Sequence, residues 1–469
     1  MNALLVILSF LVCSGIIFLV PAKAPAALLS AALLATIGVI IINRIESDRR
    51  FLLRLFLAAI LVRLMVGTVI FFFSLQDFFG GDADTYDQKG WFMQQGWHGN
   101  KYYATLADAF VREGVGAPGM VYVIAGLYEV IGRNQLAIQF INVVLGGATA
   151  VIIFLCALHL FGNDRVARLA GVLTAFFPSL VLWSSQGLKD GPIVFFLALT
   201  ILATLKLGER LSLKYFLILI ACLISLLSLR FYIFYMMVSA IIGAFVIGMR
   251  STAPQSFIRQ AIVIIGMGLA MTWFGVIRTA DRQLSTFGNL QAVARSRMDA
   301  AQMGKSGFAA DVDVSTTQGA LTAIPIGLLY LFFAPFPWQV VSLRQTITLP
   351  EMIIWWAAFP MLIAGLWFAL KHKFREISPI LIFTVMLSLA YSVFQGNVGT
   401  AYRQRAQLLV FYFIFVAVGV ILLKEKQEEK AQRIREAALA QRNKHARCRA
   451  PRGKSPVPIM NDDGGGLQV

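Results

Sequence analysis

Residues 55–74 read LFLAAILVRLMVGTVIFFFS, an apolar run of the length that crosses the hydrocarbon core of a bilayer. Similar runs recur along the 469-residue chain, of which 58% is hydrophobic and only 14% is charged. A membrane-spanning segment must satisfy its backbone hydrogen bonds internally, and no pattern of alternating short strands appears, so these runs predict helices. We therefore predict an all-α, polytopic transmembrane bundle with about 11 spans.

Basic segments set the predicted orientation of the spans. The segment NRIESDRRFLLR, residues 43–54, predicts a cytoplasmic loop by the positive-inside rule, and KHKFR, residues 371–375, predicts another. The first apolar run is interpreted as a retained span, and the run that begins at residue 55 then leaves the cytoplasm. We predict a multi-pass membrane protein, with both termini cytoplasmic and juxtamembrane helices on the outer side.

The predicted divisions follow from this orientation. They are an N-terminal transmembrane hairpin (1–43), a membrane domain (44–423) with outer loops at 75–135 and 278–350, a basic cytoplasmic helix (424–450) and a disordered tail (451–469). The chain has 41 Lys and Arg against 24 Asp and Glu. Because this basic excess lies between spans and in the tail, it indicates topology and contact with anionic lipids, and we expect no nucleic-acid partner.

Cysteines and histidines are too few and too dispersed to indicate a disulfide framework or a zinc site, so any metal would need carboxylate ligands. Carboxylates are concentrated in GGDADTYDQKGW, residues 80–91, shortly after the run 55–74. Asp82 and Asp84 are candidates for general-base work or for binding a divalent ion. The alternative is that the acids only hydrate a loop and cap a helix beginning near Thr85. Asp87 is interpreted as a solvated helix residue.

Two further segments contain candidate site residues and are predicted to lie on the same, outer side of the membrane. Lys189 and Asp190 lie in SSQGLKDGP, residues 184–192, at the outer start of a span. Arg403 and Arg405 lie in AYRQRAQ, residues 401–407, where a guanidinium suits bidentate binding of phosphate. Anchoring of a helix end at the interface is the alternative for the two arginines.

The order of three segments resembles the integral-membrane glycosyltransferases of the GT-C type, particularly bacterial relatives of the protein mannosyltransferases and aminoarabinose transferases. The segments are GDADTY (81–86), GAPGMVYVIAGLYEVIG (116–132) and FGNDRVARLAGVLTAFFPSLVLWSSQGLKDGP (161–192), and the resemblance covers about residues 55–206, with a looser match to the last span. It implies that Asp82, followed four residues later by Tyr86, is the catalytic carboxylate. It also implies that Asp190 is its partner and a possible metal ligand and that Asp84 is a supporting acid. The chain departs from the family pattern at GVGAPGM, where relatives carry a basic residue before two prolines. Recognition of the lipid phosphate would therefore either differ from that of the relatives or use Arg403 and Arg405, with Lys189 or a metal as further candidates.

The resemblance implies an enzyme that moves a sugar from a polyprenyl-phosphate donor to an envelope or exopolysaccharide acceptor, which is a glycan, a lipid or a protein. It also implies a bacterial inner membrane, with the active site on the outer side. A divalent metal ion is the only cofactor it suggests. A polysaccharide polymerase, which shares the lipid carrier, and a lipid-linked oligosaccharide flippase are the alternatives. Most ionisable groups sit at span ends, which disfavours a transport pathway.

Overall fold

The computed structural model describes residues 3–113, 118–248, 254–276, 280, 283, 288–303, 306–309, 312–340 and 342–449. These residues form helices and no β-strand, apart from one isolated bridge between Gly307 and Asn397, so the all-α prediction is confirmed. The chain divides into two compact units, Met1–Gly419 and Val420–Val469. The tail predicted to be disordered, 451–469, lies outside the described residues.

The helices, in chain order, are α1 (Ala3–Leu19), α2 (Ala24–Asn43), α3 (Arg49–Phe72), α4 (Gln76–Phe79), α5 (Asp82–Trp97), α6 (Lys101–Glu113), α7 (Gly119–Ile131), α8 (Gln135–Phe161), α9 (Asp164–Phe176), α10 (Pro178–Ser184), α11 (Asp190–Glu209), α12 (Leu213–Leu229), α13 (Phe231–Gly248), α14 (Pro254–Trp273), α15 (Leu290–Met303), α16 (Thr317–Phe333), a 3-10 turn (Pro337–Gln339), α17 (Leu343–Phe394) and α18 (Val398–Arg449).

Seven of these helices are long and apolar enough to cross a membrane, or eight if α9 and α10 together form one span. Five shorter apolar helices accompany them. The polytopic helical bundle is therefore confirmed, while the number of about 11 spans stays a prediction. The helix α17 contains a non-helical residue, Lys373, inside the basic segment predicted to separate two spans.

One apolar run of membrane-spanning length is broken in the structure. Residues 166–183 are apolar enough for a single span, but α9 ends at Phe176 and α10 begins at Pro178 with a bend of 55°. Proline has no backbone N–H and disfavours helical geometry in the residue before it, which explains the break. The α9 carbonyls of Thr174 and Ala175 accept hydrogen bonds instead from the guanidinium of Arg63, at 3.3 and 2.6 Å.

The helix α8 lies at the centre of the bundle and packs against α2, α3, α9 and α11. Its close approach to α3 needs glycine, since a Cβ at Gly146 would lie 2.7 Å from the Nε of Arg63 and one at Gly147 would lie 2.9 Å from the Cγ1 of Ile60. The helix α17 begins at Leu343, within the segment 278–350 that is predicted as an outer loop, and α18 begins at Val398.

Candidate active site

The side chain of Arg403 joins the two acids that the sequence singled out. Its Nη1 donates to the Oδ2 of Asp82 at 2.5 Å, while its Nε and Nη2 donate to the Oδ2 of Asp190 at 2.8 and 2.5 Å. The three residues come from α5, α11 and α18, which are separated by hundreds of residues in sequence. The structure therefore brings three predicted site residues into one hydrogen-bonded cluster.

The two carboxylates have different surroundings. The side chain of Asp190 is 1% exposed, whereas that of Asp82 is 49% exposed, and the Arg403 side chain between them is 15% exposed. A buried carboxylate needs compensating charge, and Asp190 has a second cation nearby, with the Nη2 of Arg230 at 3.6 Å from its Oδ1. Asp82 is thus the accessible acid, and Asp190 is the buried one.

Arg230 is a site residue that the sequence interpretation missed. In the sequence it separates two apolar runs, and in the structure it lies between α12 and α13 with its side chain buried. A single arginine between two long apolar segments could have indicated a functional residue, because a charge buried at membrane depth needs a partner. Its Nη1 has no hydrogen-bond partner among the described residues.

Local chain geometry explains how Asp82 reaches the cluster. Gly80 and Gly81 adopt φ values of 131° and 70°, which favour glycine, and α5 begins directly after them at Asp82. The helix thus starts at Asp82, three residues before the start near Thr85 that the alternative interpretation assumed. Asp190 is likewise the first residue of α11, so both acids lie at helix N-termini, where the helix dipole favours negative charge.

Tyr86 and Lys189 lie beside the cluster. The Nζ of Lys189 is 5.8 Å from the centroid of the Tyr86 ring, which stands one helical turn after Asp82. Burial, followed by the positive charge of Arg230, lowers the pKa of Lys189 to about 8. Burial and the carboxylates of Asp190 and Asp82 raise the pKa of Tyr86 to about 12, so the phenol is neutral at physiological pH.

A cavity of about 550 Å³ opens at the accessible side of the cluster. Asp82, Arg403, Trp183 and Tyr402 line one part of it, and Arg344 lines another. The guanidinium of Arg403 lies 5.7 Å from the Trp183 ring centroid, which holds its plane at the cavity wall. A ligand in this cavity meets one accessible carboxylate and two guanidinium groups.

Two other predicted residues, Arg405 and Asp84, lie apart from the cavity. Arg405 is fully buried and donates to the carbonyls of Phe332 and Ala334 at 3.0 and 3.2 Å, so it fastens α18 to the end of α16. Asp84 is exposed, and its Oδ1 accepts a hydrogen bond from Gln135 at 2.5 Å. Neither residue lines the cavity at Arg403.

The interpretation of Asp87 as a solvated residue is wrong. Its carboxylate is buried, accepts hydrogen bonds from the Nε and Nη2 of Arg133 at 3.0 and 2.5 Å, and accepts another from the hydroxyl of Tyr128. Burial and the charge of Asp87 raise the pKa of that phenol. Since α5 carries Asp87 and α7 carries Tyr128, this pair fixes the helix that bears Asp82 onto its neighbour.

The described part of the chain contains no group of three or more His, Cys, Asp or Glu side chains that could hold a metal ion. The predicted metal ligands, Asp82 and Asp190, are joined through Arg403, so a guanidinium occupies the space between the two carboxylates. The residues present fit an arginine-bridged acid pair rather than a hard divalent ion such as Ca²⁺ or Mg²⁺, which takes about six to eight oxygen ligands.

Comparison with known families supports the sequence resemblance. The family model described as dolichyl-phosphate-mannose-protein mannosyltransferase matches residues 115–276, a stretch shorter than half of the chain. This match confirms the resemblance to membrane glycosyltransferases of the GT-C type. It includes Asp190 and Arg230 but neither Asp82 nor Arg403. No curated protein sequence matches this chain.

Solved structures with a similar arrangement are distant. ArnT from Cupriavidus metallidurans bound to undecaprenyl phosphate is 13% identical with a TM-score of 0.41, and the match covers 65% of this chain and 49% of ArnT. The Archaeoglobus fulgidus oligosaccharyltransferase in complex with Zn and sulfate is 17% identical with a TM-score of 0.38, covering 69% of this chain and 42% of that one. The oligosaccharyltransferase AglB from Archaeoglobus fulgidus, in complex with an inhibitory peptide and a dolichol-phosphate, is 16% identical with a TM-score of 0.35, covering 69% and 44%. This chain spans about half or less of the length of each.

Proposed function

We propose that this chain, which resembles the GT-C type membrane glycosyltransferases, transfers a sugar from a polyprenyl-phosphate donor to an acceptor of the cell envelope or of an exopolysaccharide. The proposal rests mainly on the Arg403 guanidinium, which Asp82 and Asp190 hold at the wall of a cavity. A lipid phosphate is the ligand class that the matched family's description contains.

The charges of the cluster support phosphate binding. Two carboxylates, Asp82 and Asp190, face three basic groups, namely Arg403, Arg230 and Lys189. The surplus positive charge suits an anion, and guanidinium groups bind phosphate through paired N–H donors. The Nη1 of buried Arg230 has no hydrogen-bond partner in the described parts of the chain, so it is a further donor that a phosphate oxygen or a water would satisfy.

In the proposed reaction the acceptor hydroxyl oxygen attacks the anomeric carbon of the donor. The bond from that carbon to the phosphate oxygen breaks, and the lipid phosphate leaves with the electron pair while Arg403 stabilises its growing charge. Asp82 takes the proton of the hydroxyl as general base. A phosphate that engages Arg403 competes for the N–H donor that Asp82 holds in the free enzyme, and this frees the carboxylate for proton transfer.

Asp190 has a different proposed role, as a positioning residue. It is buried, and it holds two of the three Arg403 N–H donors that serve the cluster. Binding a divalent ion at Asp82 and Asp190, as the sequence suggested, requires Arg403 to leave the space between them. The metal therefore stays a prediction, and activity that withstands a chelator such as EDTA would refute it.

The proposed site faces the outer side of a bacterial inner membrane. This rests on the positive-inside reading of residues 43–54 and 371–375, and the cluster of Asp82 with Asp190 and Arg403 agrees with it, since all three were predicted on one side. Under this proposal the lipid donor enters from the outer leaflet, and the acceptor arrives from the periplasmic face.

The test is transfer of a labelled sugar from a polyprenyl-phosphate donor by the purified chain in lipid nanodiscs. Asp82→Asn is expected to lower kcat by about 10²–10⁴-fold, because it removes the base but keeps the shape of the side chain. Asp108→Asn, an exposed acid on α6, is the matched control and is expected to leave the rate unchanged. Undiminished transfer by Asp82→Asn would contradict the carboxylate mechanism.

A further inference from the structure

The cavity at Arg403 has an apolar rim in addition to its charged wall. Four side chains form this apolar rim, namely Phe78 and Phe79 of α4 with Leu343 and Ile347 of α17. Leu343 is 67% exposed and Ile347 is 56% exposed, although both line the cavity. The apolar rim therefore lies where the cavity opens to the surroundings of the protein.

Arg344 joins the two helices that form the apolar rim. Its Nη2 donates to the carbonyl of Asp77 at 3.4 Å, and its guanidinium lies 5.4 Å from the centroid of the Phe78 ring. Phe78 in turn packs edge to face against Phe79, with 5.0 Å between the ring centroids. Contacts of Arg344 with α4 thus hold the beginning of α17 beside these two rings.

The apolar rim complements the charged wall of the same cavity. Asp82 and Arg403 line the wall, and Arg344 adds a second guanidinium beside the rim. A hydrocarbon chain that covers the rim gains free energy in proportion to the apolar surface it removes from water. A ligand with a phosphate at one end and a hydrocarbon chain at the other matches both parts of the cavity, whereas a free sugar phosphate would leave the rim uncovered.

The course of α17 favours a chain that continues into the bilayer. Leu343 and Ile347 are four residues apart, so they lie on one face of the helix, one turn from each other. Beyond this turn α17 is long and apolar enough to cross a membrane. A hydrocarbon chain that leaves the cavity over this face therefore continues along an apolar helix.

We infer that the apolar rim binds the isoprenoid chain of the donor and is the portal through which the lipid enters and leaves the cavity. The inference rests on the proposed function, because that function supplies a polyprenyl phosphate as the ligand. Binding at the rim needs no sugar transfer, so the two can be tested separately.

Binding of two phosphate monoesters to the purified full chain tests the inference. Farnesyl phosphate carries a long isoprenoid chain and ethyl phosphate carries almost none, and phosphorus NMR in maltoside micelles detects both. Ile347→Ser is expected to weaken the binding of farnesyl phosphate about tenfold or more, because it removes apolar surface that the chain covers. The affinity for ethyl phosphate should stay within about twofold, since the phosphate contacts remain.

Ile363→Ser is the matched control, because Ile363 is 57% exposed and lies several turns further along α17. It should change the affinity for neither ligand, and partition into the micelle cancels when variants are compared. If Ile347→Ser does not fold, Leu343→Ser removes the other exposed side chain of the rim and is expected to have the same selective effect.

Three results would overturn the inference. They are a loss for farnesyl phosphate no larger in either rim variant than in Ile363→Ser, an equal loss for both monoesters, and displacement of farnesyl phosphate by an equal amount of phosphatidylglycerol. Chain-dependent binding by a protein that transfers no sugar would leave the portal standing while the proposed function fails. Sugar transfer with an unchanged KM for the lipid donor in both rim variants would refute the portal and leave the proposed function standing.

Discussion

Replacing Arg403 with lysine tests the central cluster directly. The guanidinium makes three charge-assisted hydrogen bonds, one to Asp82 and two to Asp190. Lysine keeps the charge but is a point donor on a flexible stem, so it cannot serve two carboxylates in this forked geometry. The substitution therefore separates charge from geometry.

The two carboxylates determine the size of the expected effect. Asp82 is half-exposed and regains water, so its lost hydrogen bond costs little. Asp190 is buried and keeps Arg230, at 3.6 Å, and the charge of the substituted lysine, so the main loss is one charge-assisted hydrogen bond, about 1.5–3 kcal/mol of stability. In the reaction, loss of the forked donor to the leaving phosphate is expected to lower kcat by about 10²–10³-fold.

The assay measures kcat and KM for sugar transfer in nanodiscs together with thermal unfolding of the same samples. Arg168→Lys is the matched control, because Arg168 also pairs with an aspartate, Asp48, but is half-exposed on α9. It should change stability by less than about 1 kcal/mol and leave kcat unchanged. If Arg403→Lys retained kcat within about threefold of the wild type while remaining folded, the role given to the guanidinium fork would be wrong.

Three further predictions concern stability. Asp190→Asn leaves Arg403 and Arg230 without their buried counter-ion and should lower stability by about 3–5 kcal/mol. Asp82→Asn, at the half-exposed acid, should lower it by less than about 1 kcal/mol. Equal losses of stability in thermal unfolding would contradict the difference in burial between the two acids. The pKa of Lys189 falls from 10.5 to about 8 on folding, so the unfolded state binds more protons between those values and stability should rise with pH across that window. Melting curves of Lys189→Gln at pH 7 to 10 should lack that rise, and a parallel pH dependence of the two proteins would argue against it. Asp87→Asn should lower stability by about 1–3 kcal/mol, because it weakens the hydrogen bonds of Asp87 to Tyr128 and Arg133. Asp108→Asn, at an exposed acid, should lower it by less than about 0.5 kcal/mol, and similar losses for both variants would show that Asp87 does not fix α5 to α7.

The sequence predicted the helical bundle because apolar runs of membrane length have few alternative structures. It also predicted Asp82, Asp190 and Arg403 as site residues, since charged groups beside apolar runs are costly without a purpose. Their direct contact was beyond sequence reasoning, because nothing local reports which helix ends meet. The same limit applies to Arg405, whose pattern matches that of Arg403 although its side chain points into backbone carbonyls.

The errors have local physical causes. Asp87 looked like a surface acid because its partners, Tyr128 and Arg133, lie more than 40 residues away. The span at 166–183 looked continuous because its composition is apolar throughout, yet Pro178 breaks it and a distant guanidinium compensates the break. Hydropathy alone therefore predicts neither the burial of Asp87 nor the break at Pro178, because both depend on polar contacts between residues far apart in sequence.

The partners of Arg63 have a consequence for how the chain enters the membrane. Its carbonyl acceptors on α9 lie 111 and 112 residues later, so ribosomes make α3 well before those groups exist. An arginine at the centre of an inserting helix costs about 2.5–3.5 kcal/mol on translocon scales. We therefore expect α3 to be retained at the insertion machinery until α9 emerges, and truncations that end before residue 174 to insert α3 less completely than longer ones.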